Sequence, residues 1–403
     1  MSGFDSLAND TLCEIALSLS FDDIIQFCST NQKFNQVICK NDSFWRQKYL
    51  QDFSNDLIDS RRSWREQYLR AGTVWTSGGK LGLDDDAECV FKFTGKVKQI
   101  SANEDHTLCI DLENNVWVCG NNDQGQLGMG DECDYVYTPT KIPNFKSKQV
   151  STGLVHTLFI DLNDNVWICG ATNLLGINKD QFVPFQIPNF KAKQVSAGGG
   201  HSVFIDLENN VWVFGYNLMG QLGLDDNETR VVPVQIPNFK AKQVSAGAYH
   251  TVFIDLEDNV WVCGANDIGE LGLRSIQNQE DRPIKLPNLK AKQICAGEHH
   301  TVLIDLENNV WVCGCNNLGQ LGLGDTEPRF KPRKIPNFKA RQVSLGFKYT
   351  VWIDLENNVW ACGDNRLRHF GRDDISMISR PIQITKIKAR QVSACGRHIL
   401  IVE

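Results

Sequence analysis

Four side-chain types recur through these 403 residues at a spacing that could concentrate chemistry. Six of the eight histidines, His106, His156, His201, His250, His300 and His398, hold one position of a repeated block, where a further copy has Tyr349. Imidazoles at matched positions are what a metal site or a set of general bases would use. Carboxylates keep step with them as Asp111, Asp161, Asp206, Asp255, Asp305 and Asp354, each within Ile-Asp-Leu. Five of the fourteen cysteines, Cys119, Cys169, Cys263, Cys313 and Cys362, also share one position. Seven basic pairs, Lys96/Lys98, Lys146/Lys148, Lys191/Lys193, Lys240/Lys242, Lys290/Lys292, Lys339/Arg341 and Lys388/Arg390, could hold a polyanion.

The element that positions all of them is a β-hairpin written again and again. Around Trp311 the stretch from His300 to Gly314 alternates apolar residues, breaks on Glu307-Asn308-Asn309, then alternates again. The tryptophan recurs at Trp75, Trp117, Trp167, Trp212, Trp261, Trp311 and Trp360, at spacings of 42 to 50 residues. That is the period of propeller blades. Each unit offers four strands; in one copy they are 242–246, 250–255, 259–264 and 283–286. A Gln-Val-Ser-like block opens at Gln99, Gln149, Gln194, Gln243, Gln293, Gln342 and Gln391, out of phase with the tryptophans. The repeats therefore begin in mid-unit at Val74-Trp75 and finish at His398–Val402. Pairing the last strands with the first would close a ring of seven blades and remove its open edges.

A ring sets the recurring residues apart, one to a blade, so the histidines and aspartates do not converge. They read as hydrogen-bonding turn residues, and no metal or cofactor is expected. The thiols read as small buried side chains beside a glycine, in a reducing compartment, cytosol or nucleus. Each basic pair precedes a first strand and each Asp-Leu-Glu turn follows a second, which puts them at the same end of an antiparallel blade. A mixed-charge, salt-bridged face follows, not a nucleic-acid surface. The formal charge of −7 agrees, and no apolar run is long enough for a membrane span. No nucleotide fingerprint or nucleophile motif appears, so the chain does not read as an enzyme. The copies differ most in the long loops at the opposite end. There we expect a target protein to dock, with Asn122, Asp123, Tyr135, Asn173, Asn217, Met219, Asp267, Asn317 and Arg366 as candidate contacts.

The Gly-x-x-His-Thr block, the Val-Trp-x-x-Gly strand and the Gly-Gln-Leu-Gly loop, intact at residues 125–128, 220–223 and 319–322, resemble the RCC1 repeat family. That resemblance implies a seven-bladed propeller. Residues 4–50 read instead as short amphipathic helices. Their order, with Leu7, Glu14-Ile15, Leu19, Ile24-Ile25, Phe34, Val37-Ile38 and Phe44-Trp45-Arg46, resembles the F-box, although Ala8 stands where that family has proline. The F-box docks on the Skp1-type adaptor of cullin–RING ubiquitin ligases. The resemblance thus implies that Leu7, Leu12, Ile15, Leu19, Ile24, Phe34 and Trp45 meet a Skp1-type protein and, through it, a cullin. A plain helical cap on the propeller is the alternative. The expected organisation is multidomain, α then all-β: an F-box-like domain at 1–50, a helical linker at 51–71 packed on the propeller, and the propeller at 72–403. The expected role is substrate recognition for a ubiquitin ligase. The alternatives are an exchange factor for a Ran-type GTPase, as the RCC1 resemblance implies, and an interaction scaffold. The Asn-, Lys- and Ile-rich usage would suit an AT-rich genome such as that of a large DNA virus.

Overall fold

The computed structural model describes residues 7–53, 63–77, 93, 95–131, 133–171, 181–273, 278–371, 375–396 and 398–403. It opens with helices α1 (Asn9–Ser18), α2 (Phe21–Thr30), α3 (Gln32–Phe34), a π-helical turn Asn35–Cys39, α4 (Asp42–Phe53) and α5 (Trp64–Arg70). Helix α1 begins after Ala8 with no side-chain cap. Ser20 caps α2, accepting from Asp23 N at 3.2 Å and donating to Asp23 Oδ2 at 2.7 Å. Asn31 Oδ1 caps α3 by accepting from Phe34 N at 2.8 Å.

Helices this short hold together only through shared burial. Leu12, Ala16, Ile24, Phe34, Ile38, Trp45, Tyr49 and Tyr68 form their common core. The Trp45 indole N–H finds the Cys39 carbonyl at 3.0 Å. Cys28 and Cys39 are disulfide-paired with a Cα–Cα separation of 6.1 Å, a pairing that the repeat cysteines gave no reason to expect. The helical core rests on the repeats through Leu112. Lys96 donates to the Leu69 carbonyl and lies 5.4 Å from the Phe21 ring, and the Arg390 guanidinium lies 4.8 Å over Phe53. Among the described residues no helix is long and apolar enough to cross a membrane.

Among the described residues after α5 the regular elements are all strands, and their pairs are antiparallel. One unit comprises β13 (Gln243–Ala246), β14 (His250–Ile254), β15 (Asn259–Ala265) and β16 (Gln279–Ala296). The fourth strand is much longer than its apolar pattern predicts. Asn288, at φ 57°, turns it so that its second half serves as the first strand of the next unit. Strand β9 (Gln181–Ala197) does the same around Asn189, so pairs of units share seven-stranded sheets. Strand β1 (Val74–Ser77) pairs with β25 (Ile399–Val402), aligning Trp75 with Ile401, and β24 (Gln391–Ala394) completes that three-stranded sheet. The architecture is a β-propeller-like array of repeats with a few helices in front.

One buried contact recurs between neighbouring units. His106 Nε2 meets Thr157 Oγ1 at 3.2 Å, His156 meets Ser202 at 2.9 Å, and His201 meets Thr251 at 2.9 Å. His250 meets Thr301 at 2.8 Å and His300 meets Thr350 at 3.1 Å. Tyr349 stands in for the next histidine, its hydroxyl donating to the His398 carbonyl at 2.8 Å; His398 then meets Thr107 at 3.1 Å, back in the first unit. These are core residues of the second strand rather than turn residues, which corrects the sequence-based expectation.

Burial pushes His106, His201 and His300 down to about 3, and His156, His250 and His398 to about 4. A depressed imidazole stabilises the fold above its unfolded value near 6.5, and that stability is lost as pH falls towards the folded value. Stability should therefore fall as pH drops from 6.5 towards 4, read as a steady decrease in the thermal unfolding midpoint. A flat profile across that window would contradict the neutral buried ring.

Candidate functional site

The two ends of each unit use their polar groups differently. At the hairpin end the aspartate is fully engaged. Asp305 Oδ1 accepts from Glu307 N and Asn309 N at 2.9 and 2.8 Å, and Oδ2 accepts from Asn309 Nδ2 and Trp311 Nε1 at 2.8 and 2.9 Å. Burial acts to raise its carboxyl, but these bonds outweigh it and hold Asp305 below the usual carboxylate range. The same set recurs at Asp161, Asp206, Asp255 and Asp354. In the sheet shared by β1 and β25, Glu403 Oε2 takes the Trp75 indole at 3.3 Å instead. These are structural carboxylates.

At the other end the long loops lie against the turns that precede the histidines. Ala265 N donates to Tyr249 O at 2.9 Å and Cys315 N to His299 O at 2.8 Å. Among the described residues a buried asparagine holds five of these loops. Asn217 Nδ2 donates to Asp226 O at 2.7 Å while Oδ1 accepts from Leu222 N at 2.9 Å; Asn122, Asn316 and Asn365 repeat this arrangement, and Asn266 Oδ1 accepts in the same way from Leu271 N. The loop then clamps the following unit. Gln221 O accepts from Thr251 Oγ1 at 2.7 Å and from Cys263 Sγ at 3.5 Å. At Gly223 a Cβ would be crowded, 3.1 Å from Pro283 Cδ and 3.2 Å from that sulfur, and the φ of 69° itself favours glycine. The repeat thiols are buried, as the sequence predicts, and they also support the loops; burial pushes Cys313 up to about 12. Among the described residues no group of three His, Cys, Asp or Glu could hold a metal.

Two models of the regulator of chromosome condensation repeat match this chain. One covers residues 113–160, 208–254, 257–304 and 307–353. The other covers 97–126, 192–221, 241–269 and 291–320, and together they span more than half of the sequence. The chain belongs to the RCC1 repeat family. No curated protein sequence matches it. Its fold is similar to that of Prp20p from Saccharomyces cerevisiae, with a TM-score of 0.73 and 19% identity over 86% of this chain and 95% of that one. That structure is described together with the binding properties of Prp20p to Gsp1p and histones. Human WBSCR16 is similar at a TM-score of 0.71 and 18% identity, over 82% of this chain and 99% of that one. At such identities the likeness is one of fold.

The RCC1 frame decides which expected contacts are available. Asn122 and Asn217 are fully buried loop anchors and cannot meet a partner. Asp123, Met219, Asp267, Asn317 and Arg366 are exposed, and Tyr135 is half-buried against Tyr137 at 4.7 Å. Asn173 lies outside the described residues. The sequence pattern missed the exposed apolar side chains of this face: Tyr216, Leu218, Tyr249, Phe330 and Leu367. The missed signal was an aromatic or leucine at a variable position inside an otherwise constant block. The helical unit needs a parallel correction. Leu12, Ile24, Phe34 and Trp45 are fully buried in the helical core and face no adaptor; Leu7, Ile15 and Leu19 remain partly exposed.

Frame and display are separable by substitution. Asn217→Ala should cost about 1–3 kcal/mol by leaving the buried loop carbonyl and the Leu222 amide unpaired. Leu218→Ala, one residue on, should stay within about 0.5 kcal/mol. Chemical denaturation of the two variants measures both.

Proposed function

We propose that the chain is a protein-recognition propeller that binds its partner on the loop face. The observation that carries this reading is the set of exposed Tyr216, Leu218, Met219 and Tyr249, displayed from a buried and repetitive frame. The ring itself we read as seven blades over residues 72–403, closed by strands from both ends of the repeat region. The chain of buried histidine contacts that returns from His398 to Thr107 supports this closure. The first partner class is a small GTPase of Ran type, with nucleotide exchange as the activity. The fold likeness to Prp20p, described with its binding properties to Gsp1p, supports that class.

A second reading rests on the helices. Their separate core, in F-box-like order, still leaves Leu7, Ile15 and Leu19 accessible for a Skp1-type adaptor. The propeller would then present a ubiquitination target. Two assays separate the readings. Substoichiometric protein should accelerate release of fluorescent GDP from a Ran-type GTPase, and Leu218→Asp with Tyr249→Ala should abolish the effect. Unchanged release with the wild type would remove the exchange reading. A pull-down that retains a Skp1-type protein with wild type, but not with Leu7→Asp and Ile15→Asp, would establish the adaptor reading, and retention of none by wild type would end it.

A further inference from the structure

The second cation of each basic pair stands one residue before the glutamine that opens a first strand. First strands line the axis of the array: Ser101, Ser151, Ser196, Ser245, Ser344 and Ser393 all border one central cavity of about 210 Å³. At the hairpin end of this axis lies a second recess of about 500 Å³, lined by Gln149, Gln194, Gln243, Lys193, Lys242 and Lys292. The outer cations sit elsewhere. Lys240, Lys290 and Lys388 reach over the hairpin turns to the carbonyls of Glu208, Glu257 and Glu356.

Charge compensation at the recess is incomplete. Lys148 and Lys242 form ion pairs with Asp164 and Asp258 of the neighbouring hairpin turns. Lys193 and Lys292 occupy the same geometry, but the turn residue is asparagine, and they bond the Oδ1 atoms of Asn209 and Asn308. Lys98 and Arg341 likewise meet Asn114 and Asn357. A neutral amide orients an ammonium without cancelling its charge. The glutamine floor is engaged by strand edges: Gln194 Nε2 donates to Val244 O at 3.0 Å, and its Oε1 accepts from Val244 N at 3.2 Å. The interleaved signs expected for this face therefore hold in only part of it. Lys193, Lys242 and Lys292 are all exposed. The helical core covers a different sector, through Leu112 and Arg390.

We propose that this recess is a binding site for a compact small molecule carrying several phosphate groups, gripped by Lys193, Lys242 and Lys292. Three lysines from successive repeats line this one space, and their ammonium groups have a single carboxylate partner, Asp258, among them. A volume of about 500 Å³ suits a small ligand and would be mostly empty around a lone phosphate ion. The site is on the face opposite the loops and is independent of the partner reading above.

Titration calorimetry of the full chain with inositol hexakisphosphate tests it, with inorganic phosphate and a short DNA duplex as parallel titrants. Saturable binding of the hexakisphosphate, tighter than either other titrant, is expected. Lys193→Gln/Lys242→Gln/Lys292→Gln should weaken it at least about tenfold. Asn209→Asp/Asn308→Asp should also weaken it, by supplying the carboxylates that Asp164 and Asp258 already place in other repeats. This second variant keeps the turn geometry and decides the matter if the triple variant does not fold. The outer triple Lys191→Gln/Lys240→Gln/Lys290→Gln should leave affinity within about threefold. Absence of saturable binding, undiminished affinity in Asn209→Asp/Asn308→Asp, an equal loss in the outer triple, or tighter binding of the duplex would each overturn the site.

Discussion

The contact on which this structure depends is a buried imidazole reaching a hydroxyl of the next repeat. The second strand of each unit is buried along its length, so the histidine that opens it has no water to satisfy it. Its own unit offers no partner for Nε2; the threonine or serine of the following unit does. No repeat can therefore complete itself, and each depends on its neighbour. The same ring sets the glycine three residues upstream. A Cβ on Gly198 would lie 2.6 Å from the His201 ring and 2.5 Å from the Gly247 carbonyl, so imidazole and neighbouring backbone leave space only for hydrogen. Tyr349 keeps the continuity with a different chemistry, since its hydroxyl donates to His398 O and accepts from Cys395 N at 3.1 Å.

Aromatic packing ties the outer parts of the units together in the same direction. The phenylalanine of each Pro-Asn-Phe segment packs edge-on against the tryptophan that follows it, as Phe190 does on Trp212 at 4.9 Å and Phe239 on Trp261 at 5.5 Å. That tryptophan is fixed by its aspartate, and the asparagine at positive φ aims the phenylalanine. The near-identity of these segments is accounted for by one interlocking contact set. It leaves little of the constant sequence free for function.

Period, strand alternation and the out-of-phase start at Val74 were all legible in the chain, because each rests on a pattern repeated often enough to average out local exceptions. The pairing of β1 with β25 follows from that phase alone. What could not be read was which way a polar side chain points. Asn217 and Leu218 are neighbours in a variable loop, yet the asparagine is buried and the leucine is exposed, the reverse of their polarity. Carbonyls of the folded loop create the demand for that amide, and those carbonyls converge only after folding. In the helical unit the error ran the other way. Large apolar residues such as Phe34 and Trp45 looked like adaptor contacts, but so small a helical unit needs them all inside.

The repeats are nearly equivalent, so the places where equivalence fails carry the information. Leu162, Leu207, Leu256, Leu306 and Leu355 are about half exposed at the hairpin turns, whereas the matching Leu112 is packed beneath the helices. The helices thus mark one sector of the hairpin face and leave the loop face open. On the uncovered sector the turn residue alternates between aspartate and asparagine, at Asp164, Asn209, Asp258 and Asn308, while the backbone stays at positive φ in all four. The fold accepts either residue there, since both adopt that conformation and both accept from the lysine. Conformation therefore does not choose between them. The difference is one of charge alone, and it falls on the rim of the axial recess.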